Sequence, residues 1–255
     1  MAYTRISTLA GALDDKAGLL DWSAARAVIG TIKQDLEAKR RDCDGAIYSQ
    51  VAHLISAHED PWGVPSAKKP LKELIRKAQE LGGSEDASGL GTAFHGLCET
   101  LDGGNRPAYI PRQLEPWLDA YEEAMQDWES VLVEPFVVCD KVQSAGSPDR
   151  YLRHRETGEM FCADIKSGTS EPDYPLKVTI QVAIGAHAEL YDQPSGKREE
   201  IPASLERGLL IHAPIRESRP RVNLYWLDLT RGWELAEMAV KVRDARKMPK
   251  LEKIA

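Results

Sequence analysis

The sequence contains no apolar run approaching the roughly 18 residues a membrane-spanning helix needs, so no such helix is expected in it. Its opening, Met1-Ala2-Tyr3-Thr4-Arg5-Ile6, lacks the apolar centre of a secretory signal, and a cytoplasmic protein with no membrane partner is expected. Cysteine is scarce. The four present, at positions 43, 98, 139 and 162, include no C-x-x-C pair; this leaves no recognisable zinc-ligand spacing and points to separate buried thiols in a reducing compartment. Positive charge is in deficit as well. With 33 Lys and Arg against 40 Asp and Glu, the net charge of −7 argues against avid, non-specific coating of nucleic acid. An enzyme needs only one basic track, and two runs qualify: Lys68, Lys69, Lys72, Arg76 and Lys77, and later Lys241, Arg243, Arg246, Lys247, Lys250 and Lys253. Taken alone, each such run is more often a solvated helix face than a nucleic-acid contact.

What is present is the composition of an ordinary globular chain. Its 255 residues, 42% hydrophobic and 29% charged, suffice for one sizeable domain or for a catalytic core with a helical attachment. No internal repeat is visible. Apolar residues at helical spacing predict helices over 6–13, 19–39 and 48–58, the last ended by Pro61-Trp62-Gly63. A basic amphipathic helix over 70–81 stops at Gly82-Gly83, and a Ser/Gly-containing connection follows over 83–89. The stripe Leu114, Trp117, Tyr121, Met125 and Trp128 predicts a core-facing helix over 113–129. The pattern then becomes β-rich, with strands over 131–139, 151–155 and 160–166, the last two joined by the turn Glu156-Thr157-Gly158. A helix from Tyr174-Pro175 to about Tyr191, strands over 208–213 and 222–229, and a closing helix over 232–246 complete the reading. The expected division is a helical region over 1–88 capping a core over 89–255.

The chemistry concentrates in Pro148-Asp149 and Asp164-Ile165-Lys166. On a strand, residues two apart share a face, so Asp164 and Lys166 point together while Phe161, Ala163 and Ile165 face the opposite side. Folding the hairpin at 156–158 returns Asp149 to the Asp164 end of the neighbouring strand. Two carboxylates supply the hard oxygen ligands that Mg²⁺ or Mn²⁺ takes, leaving positions open for water. Such an ion acidifies water and offsets charge on a phosphate, and a lysine beside it can orient the attacking water or stabilise the transition state. Taken alone, the same residues also describe a salt-bridged exposed hairpin.

Further motifs fall in order around this one: Gly91-Thr92-Ala93-Phe94-His95 upstream, with Glu99 one turn later, and Gln181 in the downstream helix. Together they resemble the PD-(D/E)XK nuclease superfamily, in its RecB/Cas4-like exonuclease branch, over roughly residues 89–229. The resemblance implies an α/β (α+β) fold of restriction-endonuclease type: a central mixed β-sheet flanked by helices, with the N-terminal helical region added. It implies that His95, Asp149, Asp164 and the Ile165 carbonyl hold Mg²⁺ or Mn²⁺, that Lys166 is the catalytic lysine, and that Gln181 reaches a phosphate or the attacking water. Glu99 either orients the His95 imidazole or belongs to a solvent-facing stripe. Arg150 either touches a phosphate or forms a structural ion pair, and Glu134 is either an acid near the metal or a strand-edge charge.

Two departures stand out. Relatives often carry a tyrosine four residues after the glutamine, where this sequence has Gly185; either Tyr191 or Tyr174 supplies its DNA contact, or the contact is absent. Some relatives bind an iron–sulfur cluster through late cysteines, but nothing follows Cys162, and no cluster is expected. The function implied is a metal-dependent DNA exonuclease of recombination, repair or phage DNA metabolism, with DNA and recombination or repair proteins as partners. The alternatives are an endonuclease on the same core, or a non-catalytic nucleic-acid-binding or assembly protein that keeps the fold.

Overall fold

The chain begins with a two-residue strand, β1 (Thr4–Arg5), and a short helix, α1 (Ile6–Ala10). Helices α2 (Ala17–Arg41), α3 (Ile47–Ala57), α4 (Pro65–Leu81), α5 (Ser84–Asp102) and α6 (Glu115–Ala124) follow. Strands β2 (Trp128–Val133), β3 (Val137–Cys139), β4 (Ser144–Gly146), β5 (Arg150–His154) and β6 (Met160–Lys166) lead to α7 (Leu176–Ala186). Strands β7 (Glu189–Tyr191), β8 (Arg198–Glu200), β9 (Arg207–His212) and β10 (Asn223–Asp228) precede the last helix, α8 (Leu229–Ala245). This computed structural model describes residues 3–14, 17–41, 47–168 and 175–249; Cys43, Tyr174, Lys250 and Lys253 lie outside the described residues. The chain divides into two compact units, residues 1–14 with 93–255, and residues 15–92.

In the unit of residues 15–92, α2 and α4 approach backbone to backbone. A Cβ on Gly30 would lie 1.7 Å from the Ala78 carbonyl oxygen, and one on Gly82 would lie 2.0 Å from that of Arg26. Arg26 Nη1 donates to the Gly82 carbonyl at 3.0 Å, and Gln79 Nε2 to Ser23 Oγ at 2.6 Å. Helix α4 begins five residues before the predicted start because Pro65 suits the first turn, where no amide donor is needed.

The other unit holds two five-stranded mixed sheets, in the orders β10-β9-β6-β5-β2 and β1-β4-β3-β7-β8. The mixed α/β class is therefore as expected, with the second sheet an addition. In the first sheet β5 and β6 form the predicted antiparallel hairpin, pairing Arg150 with Ala163 and Tyr151 with Cys162. Strand β9 returns parallel to β6, pairing Asp164 with Leu210 and Lys166 with His212. Central strand β6 is buried on both faces from Met160 to Ile165, as expected of a strand with neighbours on each side and helices above it.

Several boundaries differ from the sequence pattern for physical reasons. Residues 84–89, predicted as a connection, are the first turns of α5. The helix predicted over 113–129 ends at Ala124, and Trp128 starts β2, where its ring packs edge-on against Phe161. The run 131–139 is broken at Glu134, whose φ of 46° turns the chain, so its halves enter different sheets. The helix predicted to reach Tyr191 stops at Ala186, and Glu189–Tyr191 joins the second sheet. The first fourteen residues also pack with the core unit rather than with the helical region assigned to 1–88, because Ile6, Leu9 and Ala10 are buried in its hydrophobic core.

Helix α7 lies directly over β6, and Gly185 makes the close approach possible. A Cβ there would meet Cys162 Sγ at 2.7 Å and Pro148 Cγ at 3.0 Å, so no larger side chain has room at this place. Replacing Gly185 with alanine is expected to destabilise the protein by about 1–3 kcal/mol through overpacking, measured by urea unfolding. An unchanged midpoint would mean that α7 packs farther from β6 than described.

Candidate functional site

The hairpin β5–β6 and the helices α5 and α7 bring five of the sequence-selected side chains to one cleft of about 670 Å³: His95, Asp149, Asp164, Lys166 and Gln181. Asp149 lies in the short link between β4 and β5. Its Oδ2 accepts a hydrogen bond of 2.7 Å from the Ile165 backbone N–H, which fixes the carboxylate against the C-terminal end of β6. Ile165 thus enters the site through its amide.

Asp164 is 7% exposed, and its Oδ2 stands 2.5 Å from Lys166 Nζ. Burial pushes its carboxyl up to about 6, against the pull of the Lys166 ammonium and with added repulsion from Asp149. Lys166 extends to the mouth of the cleft, its side chain 46% exposed. From the opposite wall, His95 on α5 places Nδ1 3.9 Å from Asp149 Oδ2. Burial lowers the imidazole's pKa, Asp149 opposes this, and Lys166 and Arg150 add to it, so the ring is neutral with a free lone pair at pH 7.

The remaining candidates sit further out. Glu99 and Glu134 are exposed, and Glu134 is shifted upward by burial and by repulsion from Glu99 and Asp149. These two carboxylates form an acidic rim beside Asp149; Glu99 makes no hydrogen bond to the His95 ring among the described residues. Arg150 is 1% exposed and donates from Nε to Asp102 Oδ2 at 2.5 Å, which makes it a buried ion pair and removes it from contact with a phosphate. Tyr191 lies behind Phe136, with ring centroids 6.1 Å apart, and it is Phe136 that lines the cleft.

One wall of the cleft has no signature in the sequence. Tyr3, Arg5, Ile6 and Ser7 face the catalytic candidates because β1 pairs in parallel with β4, Thr4 opposite Ser144 and Arg5 opposite Ala145. A two-residue strand has no periodicity to detect, and its partner lies about 140 residues away.

The donor set is one imidazole and two carboxylates. Asp164 Oδ2 is buried and meets the Lys166 ammonium, and Gln181 Oε1 is buried with no hydrogen-bond donor among the described residues. A buried oxygen without a donor, as at Gln181, is costly, and the oxygen-rich set as a whole suits a hard divalent cation with water around it. Among the described residues no three His, Cys, Asp or Glu side chains already converge at ligating distance; the Lys166 ammonium stands at Asp164, and His95 is one van der Waals contact from Asp149. Compared with known proteins, the sequence matches no family model and no curated protein.

The Asp164 shift sets a pH dependence. Its carboxyl titrates near 3.8 in the unfolded chain and at about 6 in the fold, so between these values the folded state holds more protons. The contribution to stability is complete below about 3.8 and is lost as pH rises through about 6. Metal-free Asp164→Asn should therefore gain stability relative to wild type on going from pH 4 to pH 7. Parallel unfolding curves for the two proteins across that range would contradict the burial of this carboxylate.

Proposed function

We propose that the protein is a divalent-metal-dependent DNA nuclease, acting as an exonuclease, with the cleft between α5, α7 and the β5–β6 hairpin as its active site. The observation that carries this reading is the convergence of His95, Asp149, Asp164, Lys166 and Gln181, from four separate elements, on one cleft. The motif resemblance names these same five residues. Asp149, Asp164 and His95 would hold Mg²⁺ or Mn²⁺, and an imidazole in the set suits Mn²⁺ as well as Mg²⁺. The ion would supply Lewis acidity and charge neutralisation at the scissile phosphate.

The chain's own groups account for the rest. Asp149, immobilised by the Ile165 amide, presents its second carboxylate oxygen in a fixed direction. Lys166, half exposed at the mouth, can leave Asp164 and donate to a phosphate oxygen or to the attacking water. Gln181 Oε1, without a donor of its own, can accept a proton-bearing partner and so aim that water. Arg5 on the facing wall adds positive charge beside Asp149 and Asp164, where a phosphodiester backbone would otherwise be repelled. The net charge of −7 makes such local cations necessary for any hold on DNA.

End-labelled linear and closed circular DNA, incubated with Mg²⁺ or Mn²⁺, test this directly. The expected result is metal-dependent shortening of linear DNA with circular DNA intact, and a fall in kcat of about 10²–10⁴-fold in Lys166→Ala. No metal-dependent degradation of any DNA form would defeat the nuclease reading, and cleavage of circles would convert it to an endonuclease. Arg5→Ala is expected to weaken DNA binding and to reduce the salt slope by about one, measured by titration at several salt concentrations. An unchanged slope would remove Arg5 from the DNA path.

A further inference from the structure

Directly beneath the acidic rim lies a second, buried polar cluster that the proposed chemistry does not use. Asp102 is the last residue of α5, Tyr121 belongs to α6, and Arg150 opens β5 immediately after Asp149. Asp102 Oδ2 accepts from Arg150 Nε at 2.5 Å and from the Tyr121 hydroxyl at 2.7 Å. Arg150 Nη1 in turn donates to the Asp149 carbonyl oxygen at 2.6 Å, and the same oxygen accepts the Glu134 N–H at 3.0 Å. The side chains of Arg150 and Asp102 are 2% and 8% exposed.

Charges buried to this degree are poor devices for stability, since apolar residues of similar volume commonly do as well. Their geometry is specific, however. His95 and Asp102 are seven residues apart on α5 and therefore share one face, with buried Cys98 between them. Asp149 and Arg150 are consecutive. One fork of the guanidinium holds the helix and the other holds the peptide that bears the Asp149 carboxylate. A single planar group thus bridges the two elements that carry His95 and Asp149, with two donors held in a fixed geometry that the ammonium of a lysine does not reproduce.

We infer that Arg150, through Asp102 and Tyr121, is a positioning residue that fixes His95 relative to Asp149 and so preorganises the ligand set. The inference deepens the nuclease reading and rests on it for its catalytic consequences. Its structural content, that the buried cluster sets the place of the His95 ring, stands on the contacts alone.

The test uses the full chain as wild type, as Arg150→Lys, and as the triple variant Asp102→Leu, Tyr121→Phe, Arg150→Met, which removes all three polar partners together. The His95 ring resonance is followed by NMR in metal-free protein with His187 as a remote reference, Mn²⁺ affinity by electron paramagnetic resonance, and cleavage as separate kcat and KM. The triple variant is expected to unfold cooperatively, with the His95 resonance displaced and that of His187 unmoved. Its Mn²⁺ affinity should fall about tenfold or more, and kcat should fall with KM nearly constant. Arg150→Lys, the variant that keeps the charge, should show the same displacement of His95 and a loss of Mn²⁺ affinity of about fivefold or more. An unmoved His95 resonance with wild-type Mn²⁺ affinity in either folded variant would overturn the inference. Wild-type protein that neither binds Mn²⁺ nor cuts DNA would instead overturn the nuclease reading, while the His95 resonance in metal-free protein still decides the positioning role.

Discussion

The hydrogen bond from the Ile165 amide to Asp149 Oδ2 is the contact on which the site depends. Strand β5 begins only at Arg150, so Asp149 is outside the ladder and has no neighbouring strand residue to set its direction. Its carboxylate does that work by taking an amide from the C-terminal end of β6. Loss of the acceptor would leave a buried N–H unpaired, at a cost of about 1–3 kcal/mol, and would free the link from Ser147 to Asp149. The Glu134 amide and the Arg150 guanidinium hold the same residue through its carbonyl, so Asp149 is fixed at both its backbone and its side chain.

Electrostatics follow from that placement. Asp149, in the link before β5, and Asp164, on β6, are drawn together, and burial plus repulsion from Asp149 raises the Asp164 carboxyl. Lys166 answers one of these charges and Arg150 lies near the other, while His95, kept neutral by burial, adds a lone pair and no charge. Glu99 and Glu134 at the rim increase the local negative charge further. An arrangement that concentrates carboxylates in this way is stabilised by a bound cation, and in the proposed function the ion has that place.

Much of this site was legible in the sequence because its parts are local. The β5–β6 hairpin is marked by a Glu-Thr-Gly turn between two apolar runs, and the two-residue period alone put Asp164 and Lys166 on one face. The second sheet was not legible, since all five of its strands have only two or three residues and their pairing joins distant segments such as Thr4 with Ser144. The same fact hid Tyr3, Arg5 and Ser7 from the reading of the cleft. Arg150 was ambiguous for a different reason: an arginine beside an active-site acid has the same sequence whether it faces a phosphate or an Asp102 buried behind it, and only packing distinguishes the two. Gly185 shows the reverse, a departure from the motif that close packing against Cys162 explains.

The central claim is that His95, Asp149 and Asp164 form one cation site. Diffraction from crystals grown with Mn²⁺, recorded at the manganese absorption edge, tests it most directly. The account predicts an anomalous peak within ligating distance of the Asp149 and Asp164 carboxylates and the His95 ring, with the Lys166 ammonium moved off Asp164. The contradicting result is no peak in that cleft, with Lys166 still paired to Asp164 and His95 still out of reach of a shared ion.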